Sequence, residues 1–231
     1  MGSKLEQIPA GKGPYSVSCT DLMTGPGIQG IFLRLYYPSQ NDAGCKDVKW
    51  IPKKEYYFGL STFLQTCGTV GAFILAHYFD SVTCHAKWDA TFRPGERYPV
   101  IIFSHGLGAF RTLYSAVCIE MASRGFVVAS VEHRDQSASA TYYCKEKLFS
   151  EAKGSTSEMQ EEWIYYRRPK ANEDDASFRR QQVLQRADEC IRALDLLLDI
   201  NSGKPVANLL PISFDWTQVK VKEMAHLSSN Q

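Results

Sequence analysis

The chain has 231 residues, 44% of them hydrophobic, enough to bury a substantial core as one domain. With 26 basic against 25 acidic residues the net charge is +1, which leaves no electrostatic footprint for nucleic acid or a strongly acidic partner. The seven cysteines at 19, 45, 67, 84, 118, 144 and 190 show no Cys-x-x-Cys pair and no Cys/His zinc spacing, so they read as mostly free thiols, and no metal site or cofactor is expected.

The first residues lack the apolar segment of a secretory signal. Gly2 invites myristoylation, but Glu6 stands where Ser or Thr is wanted. No run reaches the length of a membrane span. Residues 8–27 are rich in Gly and Pro and read as irregular, which makes 1–28 an N-terminal arm. Residues 29–37 alternate, with Ile31, Leu33, Leu35 and Tyr37 on one side and Pro38 as a stop, and predict a half-buried strand. Residues 39–53 are turn-rich.

Residues 59–79 are mostly apolar with spacings of three and four, which favours a helix or a broken helix pair, weakened at Gly68 and Gly71. Two readings stand side by side. One is a core helix; the other is a surface helix dipping into a lipid interface, with Phe73, Ile74 and Leu75 as the contact residues. Residues 99–104 predict a buried strand and 110–124 a helix closed by Gly125, with a second apolar strand at 126–131. This is the minimal parallel crossover, and Val127, Val128 and Val131 suit a strand covered on both faces. Residues 145–177 are polar and charged, a solvated excursion in which Trp163, Tyr165 and Tyr166 suggest one docked segment. Leu184, Ala187, Ile191, Leu194 and Leu198 mark an amphipathic helix ending near Gly203.

The chemistry-bearing stretch is His105-Gly106-Leu107-Gly108, placed directly between the first strand and helix of the crossover. Glycines on either side of Leu107 permit a tight turn in which a backbone N–H faces a developing oxyanion, the layout of an α/β-hydrolase esterase. The second motif, Glu132-His133-Arg134-Asp135, follows the next strand at its carboxyl end, where sites gather in open α/β sheets. His-Arg-Asp also occurs in protein kinases, but the Gly-x-Gly-x-x-Gly loop and Asp-Phe-Gly are absent, and Arg134 and Asp135 read as residues that hold a loop by salt bridge and hydrogen bonds. No serine lies in Gly-x-Ser-x-Gly: Ser61 has only the first glycine, and Ser104 belongs to the oxyanion loop. His226 is the sole histidine after residue 133 and reads as solvated.

Longer strings carry a family resemblance. Residues 103–115 (Phe-Ser-His-Gly-Leu-Gly-Ala-Phe-Arg-Thr-Leu-Tyr-Ser), 132–135 and 137–143 (Ser-Ala-Ser-Ala-Thr-Tyr-Tyr) resemble the platelet-activating factor acetylhydrolases, the lipoprotein-associated, calcium-independent phospholipases A2. Residues 13–17, 19–23 and 32–39 are equally typical, and the likeness is closer to the secreted plasma type than to the intracellular myristoylated one. The resemblance spans roughly residues 8–220 and implies an α/β-hydrolase fold that cleaves the short or oxidised sn-2 acyl group of a phospholipid with a Ser-Asp-His triad. It implies that Leu107 supplies one oxyanion amide, with His105, Gly106 and Gly108 as its supporting loop. It also implies a phospholipid substrate, a lipoprotein or membrane surface near residues 63–79, and an extracellular setting; without a signal peptide, the chain as given is expected in the cytoplasm.

After residues 215–220 the family continues into a strand and a Gly-His-Ser-Phe-Gly-Gly elbow, whereas here residues 221–231 diverge, and no member of the triad carries over. The expectation is therefore an N-terminal part of an α/β-hydrolase domain at 29–220 with a divergent tail at 221–231, a C-terminally truncated and catalytically incompetent form. The alternative is a non-catalytic isoform that binds lipid or the full-length enzyme. Either way, the strands of Phe103 and Val128 are expected to present open edges.

Overall fold

The computed structural model describes residues 6–40, 44–146 and 159–222. Gly2, His226 and nearly all of the 221–231 tail lie outside these. The elements run β1 (Gln7–Ile8), β2 (Ser16–Thr24), β3 (Ile31–Ser39), β4 (Asp47–Lys49), α1 (Lys54–Phe63), α2 (Gly68–Phe79), β5 (Thr83–Trp88), β6 (Val100–Ser104), α3 (Ser115–Ser123), β7 (Val127–Val131), β8 (Ala140–Glu146), β9 (Met159–Tyr165) and α4 (Asp175–Asn201), with a short 3₁₀ turn at Trp216–Gln218.

The main sheet is ordered β1-β5-β2-β3-β7-β6, with β4 added to β5. β3 runs antiparallel to both β2 and β7, and β6 runs parallel to β7 with Ser104 beside Val131. β7 is therefore interior and, of these two strands, only β6 is an edge, so the expected open edge at Val128 is corrected: β3 reaches across and takes its other side. β8 and β9 form a separate hairpin, and the expected docking of Trp163 and Tyr165 is seen where they pack on the α1 cluster.

Residues 16–24 are no irregular arm but a nine-residue strand buried along almost its whole length. Its Ser, Thr and Asp residues read as loop punctuation, yet each can be buried when a neighbouring strand supplies a partner. Ser18 Oγ bonds Ser39 Oγ at 2.8 Å, and Asp21 receives Arg34 of β3 at 2.7 and 2.9 Å. β3 is likewise covered on both faces, since Leu33, Leu35 and Tyr37 enter one core and Tyr36 another. It also runs through Pro38 instead of stopping there. The Pro38 carbonyl faces away from β2 and accepts from Arg93 N, so the missing N–H breaks no β2–β3 bond.

α1 and α2 are the broken helix pair, separated at Gln65, which has φ 59°. α3 begins five residues later than the expected 110, because the backbone of that stretch is engaged elsewhere. Arg111 N–H goes to Glu132 and the Arg111 carbonyl accepts from Ser130 Oγ. In α4 the buried face is Phe178, Gln182, Glu189, Ala193, Leu197 and Ile200, whereas Leu184 and Ile191, expected inside, are each 60% exposed. Two polar residues on the inner face displaced the apolar stripe. All seven cysteines are free thiols.

Candidate active site

β6 and β7 end side by side, and the loops leaving them build the site. Beyond Ser104 the chain turns through residues 105–109. Gly108 has φ 75°, donates its N–H to Ser137 O at 2.8 Å, and a Cβ there would lie 2.3 Å from the Phe63 ring. Only glycine fits this position. Ala109 N–H closes the turn onto Gly106 O at 3.1 Å. Leu107 is left at the tip, 52% exposed, and its N–H has no acceptor among the described residues. His105 is fully buried and braces the turn from below. Its Nδ1 bonds Gly106 O at 2.9 Å and its Nε2 accepts the His133 backbone N–H at 3.2 Å. Both contacts fit one neutral tautomer, and burial, then the neighbouring His133, hold the imidazole well below its usual range.

The far limb of the loop is clamped by a buried charge cluster. Arg111 reaches Asp21 Oδ2 at 2.7 Å and Glu132 Oε2 at 2.8 Å, while Arg34 takes Asp21 in a two-pronged pair. Tyr56 of α1 donates to Glu132 Oε1 at 2.6 Å. Two guanidinium groups balance two carboxylates, so the cluster is neutral as a unit. Burial would push the Asp21 carboxyl up, but Arg111 and Arg34 outweigh it and hold it below the usual carboxylate range.

A third set of contacts joins residues that the motifs leave apart. Ser104 Oγ lies 2.8 Å from His133 Nε2, and His133 Nδ1 lies 2.6 Å from Glu189 Oε2. Glu189 comes from the inner face of α4 and is fixed through its other oxygen by Gln185 Nε2 at 2.9 Å. One helical turn earlier, Arg186 donates to Ser137 Oγ at 2.8 Å, to Ser104 Oγ at 3.2 Å and to the His105 carbonyl. Ser104 is exposed; His133 and Glu189 are buried. The sequence held one signal for this: His133 sits two residues beyond Val131, the register partner of Ser104, and so on the same face of the sheet. Glu189 had none, because its helix was assigned an apolar inner face.

Arg134 holds its loop as expected, but through carbonyls: it donates to Tyr142 O at 3.2 Å and to Gly27 and Gly30, without an ion pair among the described residues. Asp135 accepts Ser137 N–H and Oγ–H at 3.0 and 2.6 Å. Of the lipid-interface candidates, Phe73 is 75% and Ile74 49% exposed, while Leu75 turns partly inward onto the α1 cluster. α2 buries no residue fully, so the core-helix reading gives way to a surface helix. Among the described residues no cluster of His, Cys, Asp or Glu is placed to hold a metal ion, and no helix is long and apolar enough to cross a membrane.

An antiparallel β2–β3 pair leading into parallel β7 and β6, with a glycine-rich turn at the carboxyl end of β6, defines an α/β-hydrolase fold. The family model for platelet-activating factor acetylhydrolase, isoform II, matches residues 1–227, and the chain belongs to that family. It is 57% identical over 215 residues to the platelet-activating factor acetylhydrolase of Gallus gallus, covering 93% of this chain and 51% of the relative. The corresponding protein of Bos taurus is 53% identical over 214 residues, covering 93% of this chain and 46% of the relative. The chain thus spans about half the length of the curated relatives it matches. A solved ferulic acid esterase from Streptomyces cinnamoneus aligns with a TM-score of 0.44 and 21% identity over 58% of this chain and 38% of its own.

Proposed function

We infer that these residues form the oxyanion-loop portion of a hydrolase that cleaves the short or oxidised sn-2 acyl ester of phospholipids, of the plasma type. The observation that carries this reading is the acceptor-free Leu107 N–H at the tip of a turn fixed by Gly108, His105 and Arg111. When a nucleophile attacks an ester carbonyl, its oxygen gains negative charge, and a preorganised N–H stabilises that charge without reorganising. The partner donor in such folds is the amide after an elbow serine, and the 231 residues hold no Gly-x-Ser-x-Gly. On this reading the Leu107 amide supplies one donor of the pair, and these residues by themselves are proposed to turn over no phospholipid. The exposed apolar face of α2 is the part that meets the lipid surface. A groove of about 460 Å³ beside it, lined by Tyr57, Phe58, Ala72, Phe73, Ala76 and Tyr165, continues that apolar surface inward.

A chimera tests this: residues 8–220 replace the matching half of the Gallus gallus relative. The expected result is hydrolysis of a 2-acetyl phospholipid, with Leu107→Pro, which deletes the N–H, lowering kcat by roughly 10²- to 10³-fold. A folded chimera without activity, or a Leu107→Pro chimera at full rate, would overturn the reading.

A further inference from the structure

The Ser104–His133–Glu189 contacts have the connectivity of a nucleophile, its base and the group that orients the base, on three different elements. We propose that Ser104 is a nucleophile in its own right, one that takes the acyl group of small activated carboxylic esters, with His133 as general base and Glu189 holding the imidazole. A carboxylate only accepts, so the contact with Glu189 places the ring proton on Nδ1 and turns the Nε2 lone pair toward the Ser104 hydroxyl. Ser104 faces solvent while both of its supports are buried, so the reacting oxygen is reachable and its base is shielded from water. Arg186, tied down at Ser137 and His105, keeps a cation 3.2 Å from Oγ, beside the position where the carbonyl oxygen becomes negative.

In the first step the Oγ–carbonyl carbon bond forms as the hydroxyl proton passes to His133 Nε2. The ester C–O bond then breaks and the leaving alcohol takes that proton. Water attacks the acyl-Ser104, His133 accepts its proton and returns it to Oγ, and the carboxylic acid departs. No cofactor or redox partner enters the balance. The site uses neither the Leu107 amide nor a phospholipid, so it stands independently of the function proposed above.

The test is stoichiometric labelling of the purified 231-residue chain with a fluorophosphonate, together with the burst of nitrophenol from p-nitrophenyl acetate. In the phosphonate reaction the Oγ–P bond forms as fluoride leaves. The expected result is one adduct per chain, mapped to the Ser104 peptide, lost in urea-unfolded chain and lost in Ser104→Ala, which removes one exposed hydroxyl and leaves the circular dichroism spectrum unchanged. Folded Glu189→Gln is expected to acylate at least tenfold more slowly. The proposal is overturned by folded chain that takes no adduct, by an adduct that persists in Ser104→Ala, by equal labelling of folded and unfolded chain, or by folded Glu189→Gln reacting at the wild-type rate.

Discussion

Arg111 is the residue on which the turn after β6 hangs. It belongs to no motif that chemistry alone would name, yet its side chain bridges Asp21 and Glu132, its N–H meets Glu132, and its guanidinium lies 4.1 Å above the Phe32 ring. Arg111→Met would fit the space but leave two buried carboxylates facing one guanidinium. Removing one partner from a buried ionic cluster costs about 3–5 kcal/mol, and urea unfolding is expected to show a loss of that size. Arg111→Lys is expected to rescue little, because a point charge cannot serve both carboxylates. A variant as stable as the wild type would mean that the cluster is incidental. Legibility at this scale followed chain distance. His105 to Gly108 were readable because a turn and its glycines are local. Ser104, His133 and Glu189 lie 29 and 56 positions apart, and only the register of two parallel strands and the phase of α4 bring them together.

At the scale of elements, hydrophobic pattern found β3, β6 and β7 and missed β5, β8 and β9 as well as β2, whose buried residues include polar ones. β6 and β7 were plain in sequence; β2 was not, because Ser18 and Asp21 are solvated in isolation and satisfied only once β3 lies alongside. α4 was found but turned to the wrong side, since Gln182 and Glu189 took inward positions to reach the loops after β7. α2 is the opposite case, a helix apolar all round that settles on the surface. Exposed Phe73 and Ile74 contribute nothing to the core, so Phe73→Ser with Ile74→Ser is expected to leave the unfolding midpoint in place. Lipid insertion of both would bury apolar surface worth about 2–3 kcal/mol at partial depth, so the double variant is expected to partition roughly 30- to 150-fold more weakly onto phosphocholine vesicles. Flotation of the two proteins at equal lipid measures this. Equal binding would remove α2 from the lipid surface.

For the molecule as a whole, the decisive feature is where the sheet stops pairing. β6 has β7 on one side. On the other, among the described residues, only a bridge from Val221 to Tyr98 meets the chain just before β6, and Val100–Ser104 have no strand beside them. Ile101, Ile102 and Phe103 are only partly buried. The helices on either side of this edge repeat the pattern, with Val117 and Met121 of α3 and Val183, Leu184 and Ile191 of α4 turned to solvent. An unpaired parallel edge offers a row of N–H and C=O groups to another chain, and contiguous apolar surface around it supplies the attraction. The 231-residue chain is therefore expected to self-associate reversibly, its sedimentation coefficient rising with concentration across the micromolar range. Leu184→Lys with Ile191→Lys places charge on surface that is already exposed, so the fold is retained while association weakens. Each buried aliphatic side chain is worth about 1.5–3 kcal/mol, so the onset is expected to move upward by at least tenfold in concentration. A chain that stays monomeric at high micromolar concentration would show that β6 protects its own edge.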